Sequence, residues 1–108
     1  MITVTICKEN QCFTKIQCKG HAGYAKHGQD IVCAAVSILV INTINALEAL
    51  VAQPMQVESD EETGFIRCSI DKPYHKESDL LIQTMIMGIQ SISEQYGKRY
   101  VDLTIKEV

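Results

Sequence analysis

Residues 31–52, IVCAAVSILVINTINALEALVA, constrain this chain more than any other stretch. The run is too long and too continuously apolar for a strand and reads as a helix. Asn42, Asn45 and Glu48 recur at three-residue spacing and give that helix one narrow polar stripe. They also interrupt the run too soon for a bilayer span. Asp30 ahead of it is a good N-cap, and Pro54 ends it. Such a helix must be mostly enclosed, by a sheet on one side and by another helix or subunit on the other.

The rest of the chain supplies the sheet. Residues 2–7 alternate Ile2, Val4 and Ile6 with Thr3, Thr5 and Cys7, and KENQ makes a turn. In residues 12–19, Cys12, Thr14, Ile16 and Cys18 form one face, with Phe13, Lys15, Gln17 and Lys19 on the other. A second hairpin follows the helix: Val57 and Ser59 lead into the turn EETG, and Ile66, Cys68 and Ile70 mark the return. A second helix covers residues 75–96, with Leu81, Met85, Ile89, Ile92 and Tyr96 on one face and Gly97 as its terminator. The last strand alternates Val101, Leu103 and Ile105 with polar residues. The order ββαββαβ predicts an α/β (α+β) fold in a single domain, 1–108, with one largely antiparallel sheet packed with two helices. If both helices cover one face, the other shows Thr, Lys, Gln and Asp to water. The apolar flanks of the helices leave room for a homodimer.

Charge and cysteines narrow the function classes. A formal net charge of −3 gives no broad electrostatic footprint for nucleic acid. The opening ITVTIC is strand-like, so no signal peptide is expected. The five cysteines are odd in number, and four lie in strand-like runs at positions that read as inward-facing. That pattern predicts free thiols in a reducing cytoplasm rather than a disulfide scaffold.

The fifth, Cys33, stands at the junction of a loop and the long helix, in GHAGYAKHGQDIVCAAVS, residues 20–37. With Asp30 as N-cap, Cys33 falls in the first turn, where backbone N–H groups and the helix dipole favour an anion. A nucleophilic thiolate needs a proton acceptor that later protonates a leaving group, a task suited to neutral histidine. His21 follows the second strand directly, where a sheet can aim it. His27 sits in mid-loop, so His21 is the preferred partner. Asp30 caps the helix, and a distance decides whether it also orients His21. Gly20, Gly23 and Gly28 give the intervening loop the freedom to open for an extended polypeptide and close again.

Other readings compete on the residues alone. Cys33 is equally well a small buried residue at a helix start. Ser37, one turn further on the same face, either joins the site or returns its hydroxyl to the helix backbone. Cys18, His21, His27 and Cys33 form C-x2-H-x5-H-x5-C, a donor set that zinc accepts, although Cys18 shares a strand face with Ile16 and points to the core. The glycines match neither phosphate-binding spacing.

The segment from Gly20 to Ser37, the ββαββαβ order and the length together resemble the ribosomal-processing cysteine protease family, Prp, over essentially the whole chain. The resemblance implies a cysteine endopeptidase that removes a short N-terminal extension from the precursor of large-subunit ribosomal protein L27. The family's histidine, cysteine and aspartate fall on His21, Cys33 and Asp30. It further implies a cytoplasmic homodimer with no cofactor, no metal, no direct nucleic-acid contact and no membrane. An apolar cleavage sequence ending in phenylalanine implies a hydrophobic groove. Backbone N–H groups near residues 33 and 34 are the expected oxyanion donors, and Glu61 and Glu62 would attract a basic ribosomal protein. A non-catalytic ribosome-associated binding module is the alternative from another class.

Overall fold

The computed structural model describes residues 1–26 and 28–108. Among the described residues the order is the expected one: β1 (Ile2–Glu9), β2 (Cys12–Lys19), α1 (Ile31–Ala46), β3 (Met55–Asp60), β4 (Phe65–Ile70), α2 (Lys76–Tyr96) and β5 (Val101–Glu107). The strands form one sheet in the order β3-β4-β2-β1-β5. All pairings are antiparallel except β1 with β5, which is parallel. The parallel pair follows from topology, because α2 carries the chain back across the sheet before β5 begins.

Alternation builds the core. Ile2, Val4 and Ile6 of β1, Ile16 and Cys18 of β2, and Cys68 and Ile70 of β4 are all buried. They meet Val32, Val36, Val40 and Ile44 of α1 and Ile82, Met85, Ile86 and Ile89 of α2 in one continuous cluster. Both helices therefore cover the same face of the sheet. Burying one side of each element against the other is what holds the layers together, at about 1.5–3 kcal/mol per large side chain.

Two face assignments differ from the alternating pattern. The β1–β2 register slips between Cys7 and Lys8, so that Cys7 pairs with Lys15 and Lys8 with Phe13. Thr14 is the extra residue of a bulge. The bulge turns Phe13 to the core face, where it is buried, and moves Cys12 off it. Cys18 and Cys68 are buried as expected, whereas Cys7 and Cys12 are only half-buried.

The helical run continues past Ala46 in a π-helical turn, Leu47–Val51, before Ala52 takes a left-handed conformation. By length and apolar content alone, the 21 residues Ile31–Val51 could cross a bilayer. Here the stripe Val32, Val36, Val40, Ile44 and Leu47 is spent on the core. The outer flank is not enclosed within one chain: Ile31, Ile38, Ile41 and Leu50 are exposed.

Gln53 locks the end of this run to the start of α2. Its side chain is buried, and Nε2 donates to the carbonyls of Asp71 and Pro73, each at 2.9 Å. Its Oε1 accepts from the His75 N–H at 3.0 Å and from Ser78 Oγ at 2.7 Å. His75 is the N-cap of α2 without a capping side-chain bond of its own, so Gln53 supplies the acceptor from a distant part of the chain. Gln53→Ala leaves this set unsatisfied in a buried place. It should cost about 2–3 kcal/mol in urea unfolding; a loss under about 0.5 kcal/mol would show that the lock is dispensable.

Candidate active site

The site forms where β2 leaves the sheet. Gly20 has φ +90, and a Cβ there would stand 2.5 Å from the Met1 carbonyl oxygen. Only glycine lets the chain pass that close to the strand start and swing His21 over the head of α1.

Asp30 fixes that head. Its Oδ1 accepts the Cys33 N–H at 2.9 Å, and its Oδ2 accepts the N–H groups of Tyr24 at 3.0 Å and Ala25 at 3.4 Å. One carboxylate thus caps the helix and clasps the preceding loop to it. Burial works to raise its pKa, but the N–H groups of Cys33, Tyr24, Ala25 and Val32 together outweigh it, and the carboxyl sits below its ordinary value. The loop is anchored elsewhere too. Ala22 is buried, and the Tyr24 ring makes edge-on contacts with Tyr96 and Tyr100 at centroid distances of 5.4 and 5.2 Å.

Cys33 is half-buried in the first turn of α1, with Sγ 3.9 Å from His21 Nδ1. The other ring nitrogen, Nε2, lies 3.3 Å from the Glu62 carbonyl oxygen. A carbonyl only accepts, so a hydrogen bond here needs the proton on Nε2, the tautomer that leaves the Nδ1 lone pair toward the thiol. Cys33 and His21 are thus brought together, and Asp30 spends both carboxylate oxygens on backbone N–H groups. His27 lies outside the described residues. No group of three or more His, Cys, Asp or Glu converges on a metal-sized site among the described residues. Cys18, needed for the zinc arrangement, has its thiol pushed up to about 11 by burial and then by its proximity to Cys33. Burial and then Asp71 likewise push Cys68 up to about 11.

The expected oxyanion donors need correcting. The Cys33 N–H is held by Asp30 Oδ1, and the Ala34 N–H donates to the Asp30 carbonyl at 3.0 Å. Both are already engaged by the cap itself, which spares neither for a substrate.

An apolar groove of about 410 Å³ opens from the thiol and runs between α1 and the β3–β4 ribbon. Ser37 and Ile41 form one wall, and Val57, Phe65 and Ile66 the other. It exists because the sheet is wider than its helical cover: Val57 pairs with the buried Cys68 yet is itself exposed. A second hollow of about 430 Å³ lies on the loop side, beside Gly23, Ala25 and Gly28, and shares His21, Cys33 and Ser37 with the first. Cys33 lines both, so its thiol stands between the two hollows.

The family model for cysteine protease Prp matches residues 1–102. The chain belongs to the cysteine protease Prp family. A curated relative, the ribosomal processing cysteine protease Prp of Staphylococcus aureus, is 30% identical over 99 residues, 91% of this chain and 93% of the relative. The Bacillus subtilis Prp is 33% identical over 81 residues, 71% of this chain and 72% of the relative. The crystal structure of an S. aureus Prp with a covalently linked product peptide superposes with a TM-score of 0.91 at 30% identity, covering 98% of this chain and 100% of that one. Prp membership makes the chain a cysteine protease by family.

The sequence left two parts of the site unmarked. The Glu62 contact uses a backbone carbonyl and leaves no side-chain signature. The Tyr24 anchor depends on Tyr96 and Tyr100, which lie some seventy residues away and meet it only in the fold.

The cap makes a pH-dependent contribution. Asp30 has a folded pKa below its unfolded value of about 3.9. Its stabilisation is therefore complete above the unfolded value and is lost as pH falls through the folded one. Asp30→Ala should cost about 1–2 kcal/mol at neutral pH, and urea titrations should show that cost shrinking below about pH 4. A cost that stays constant or grows on acidification contradicts this role.

Proposed function

We propose that this chain is the endopeptidase that removes the N-terminal extension from the precursor of ribosomal protein L27, with His21 and Cys33 as its catalytic pair. The observation that carries the reading is the Cys33 Sγ to His21 Nδ1 approach of 3.9 Å at the mouth of an apolar groove. Family membership and the product peptide covalently held by the S. aureus relative support it.

The steps follow from the geometry. Nδ1 takes the Cys33 proton while Nε2–H remains on the Glu62 carbonyl, and the thiolate attacks the scissile carbonyl carbon. The tetrahedral adduct collapses as the C–N bond breaks and the Nδ1 proton passes to the leaving amine. Water then gives its proton to Nδ1 and attacks the thioester, releasing the acid and restoring the thiol. Asp30 acts as a positioning residue, holding the head of α1 and the loop.

An apolar segment before the cut suits the walls of Ile41, Val57 and Phe65. Glu61 at the groove end favours a basic substrate body beyond it. The exposed flank Ile31, Ile38 and Leu50 of the α1 run supports a homodimer through that surface. Sedimentation equilibrium would contradict it by returning the mass of one chain. Five free thiols suit the reducing cytoplasm in which bacterial ribosomes are built.

Purified protein incubated with precursor L27 should give one cut after the apolar segment, read by intact mass. Cys33→Ala and His21→Ala should each lower kcat/KM by at least about 10³-fold without unfolding the chain. Binding of the precursor without cleavage by folded wild-type protein would instead favour the non-catalytic binding module.

A further inference from the structure

The turn between β3 and β4 is built against His21, and nothing in the motif from Gly20 to Ser37 accounts for it. The Glu62 carbonyl faces Nε2 at 3.3 Å. The peptide just before it, Glu61–Glu62, is held at both groups: Asp60 Oδ1 accepts the Glu62 N–H at 3.0 Å, and the Gly64 N–H donates to the Glu61 carbonyl at 3.3 Å. Gly64 has φ +68, and a Cβ on it would stand 2.7 Å from the Gly20 carbonyl oxygen and 3.2 Å from His21 Cε1. The backbone of the turn thus packs directly on the residue pair that aims the imidazole, at a distance no side chain permits.

We infer that the β3–β4 turn is the positioning element of the His21–Cys33 pair. The Glu62 carbonyl fixes the imidazole tautomer, Asp60 holds the adjoining Glu61–Glu62 peptide in place, and Gly64 permits the approach. The inference rests on reading His21 and Cys33 as the catalytic pair. In serine and cysteine proteases a carboxylate or amide side chain often orients the catalytic histidine. Here a backbone oxygen takes that place. It accepts Nε2–H from both the neutral ring and the imidazolium, so it keeps its hold throughout proton transfer. Asp60, Glu61 and Gly64 also line the groove. The element that aims His21 is therefore also one wall of the substrate path.

Long-range ¹H–¹⁵N correlation on the wild-type protein at about pH 8, where imidazole is largely neutral, should show His21 protonated on Nε2 and bare on Nδ1. This measurement needs no substrate, so it stands whether or not L27 precursor is cleaved. Gly64→Ala should mix the two tautomers and lower kcat by about 10–100-fold. Asp60 sits on the exposed turn and gives a second test that leaves the core alone. Asp60→Ala should lower kcat about tenfold, and Asp60→Asn, which retains an acceptor for the Glu62 N–H, should restore most of it. An Nδ1-protonated ring in the wild-type protein overturns the inference. So does Asp60→Asn behaving like Asp60→Ala, since that would assign Asp60 a role through charge. Unchanged tautomer and kcat in Gly64→Ala would overturn it equally.

Discussion

The carboxylate of Asp30 is the contact on which the rest of the site depends. A helix that begins abruptly after a glycine-rich loop presents N–H groups that must be satisfied. Asp30 answers with both oxygens, one on the first turn of α1 and one on the loop at Tyr24 and Ala25. The clasp sets where the helix starts, and so where Cys33 stands, and it ties down the far end of the segment that begins with His21. The other end is set by the sheet, through the passage of Gly20 past Met1 and the packing of the β3–β4 turn. The thiol and the imidazole are thus aimed by different elements, and their approach is a property of the whole fold.

The groove has a topological origin. The sheet has five strands, and the two helices cover its central part. β3 and the outer half of β4 project beyond that cover, leaving an apolar floor beside α1 whose residues are chosen by strand alternation. The consequence is a groove floored by strand residues and walled by α1. The same economy leaves α1 with an apolar outer flank, the surface on which the proposed homodimer rests.

Long-period features were legible in the sequence, and features that depend on a single extra residue or on backbone atoms were not. The order of elements followed from alternation in β1 and β4 and from the length of the 31–52 run. The cap at Asp30 and the place of Cys33 followed from helix-start chemistry. Phe13 was assigned to the wrong face because a bulge at Thr14 reverses the alternation halfway along β2, and nothing in CFTKIQCK marks it. The N–H groups of residues 33 and 34 looked available for an oxyanion because the cap was considered apart from the donors it consumes. Gln53 carries no local signal, since its partners at Asp71, Pro73, His75 and Ser78 lie in another part of the chain.

The central claim is that Cys33 is the atom that attacks, and a trapped intermediate tests it most directly. Wild-type protein mixed with excess L27 precursor and quenched in acid within milliseconds to seconds should carry the extension peptide, less one water, as a thioester. Peptide mapping should place it on Cys33, and hydroxylamine should remove it. An adduct on Cys7, Cys12, Cys18 or Cys68, or burst-phase cleavage with no protein-bound acyl group, would contradict the account.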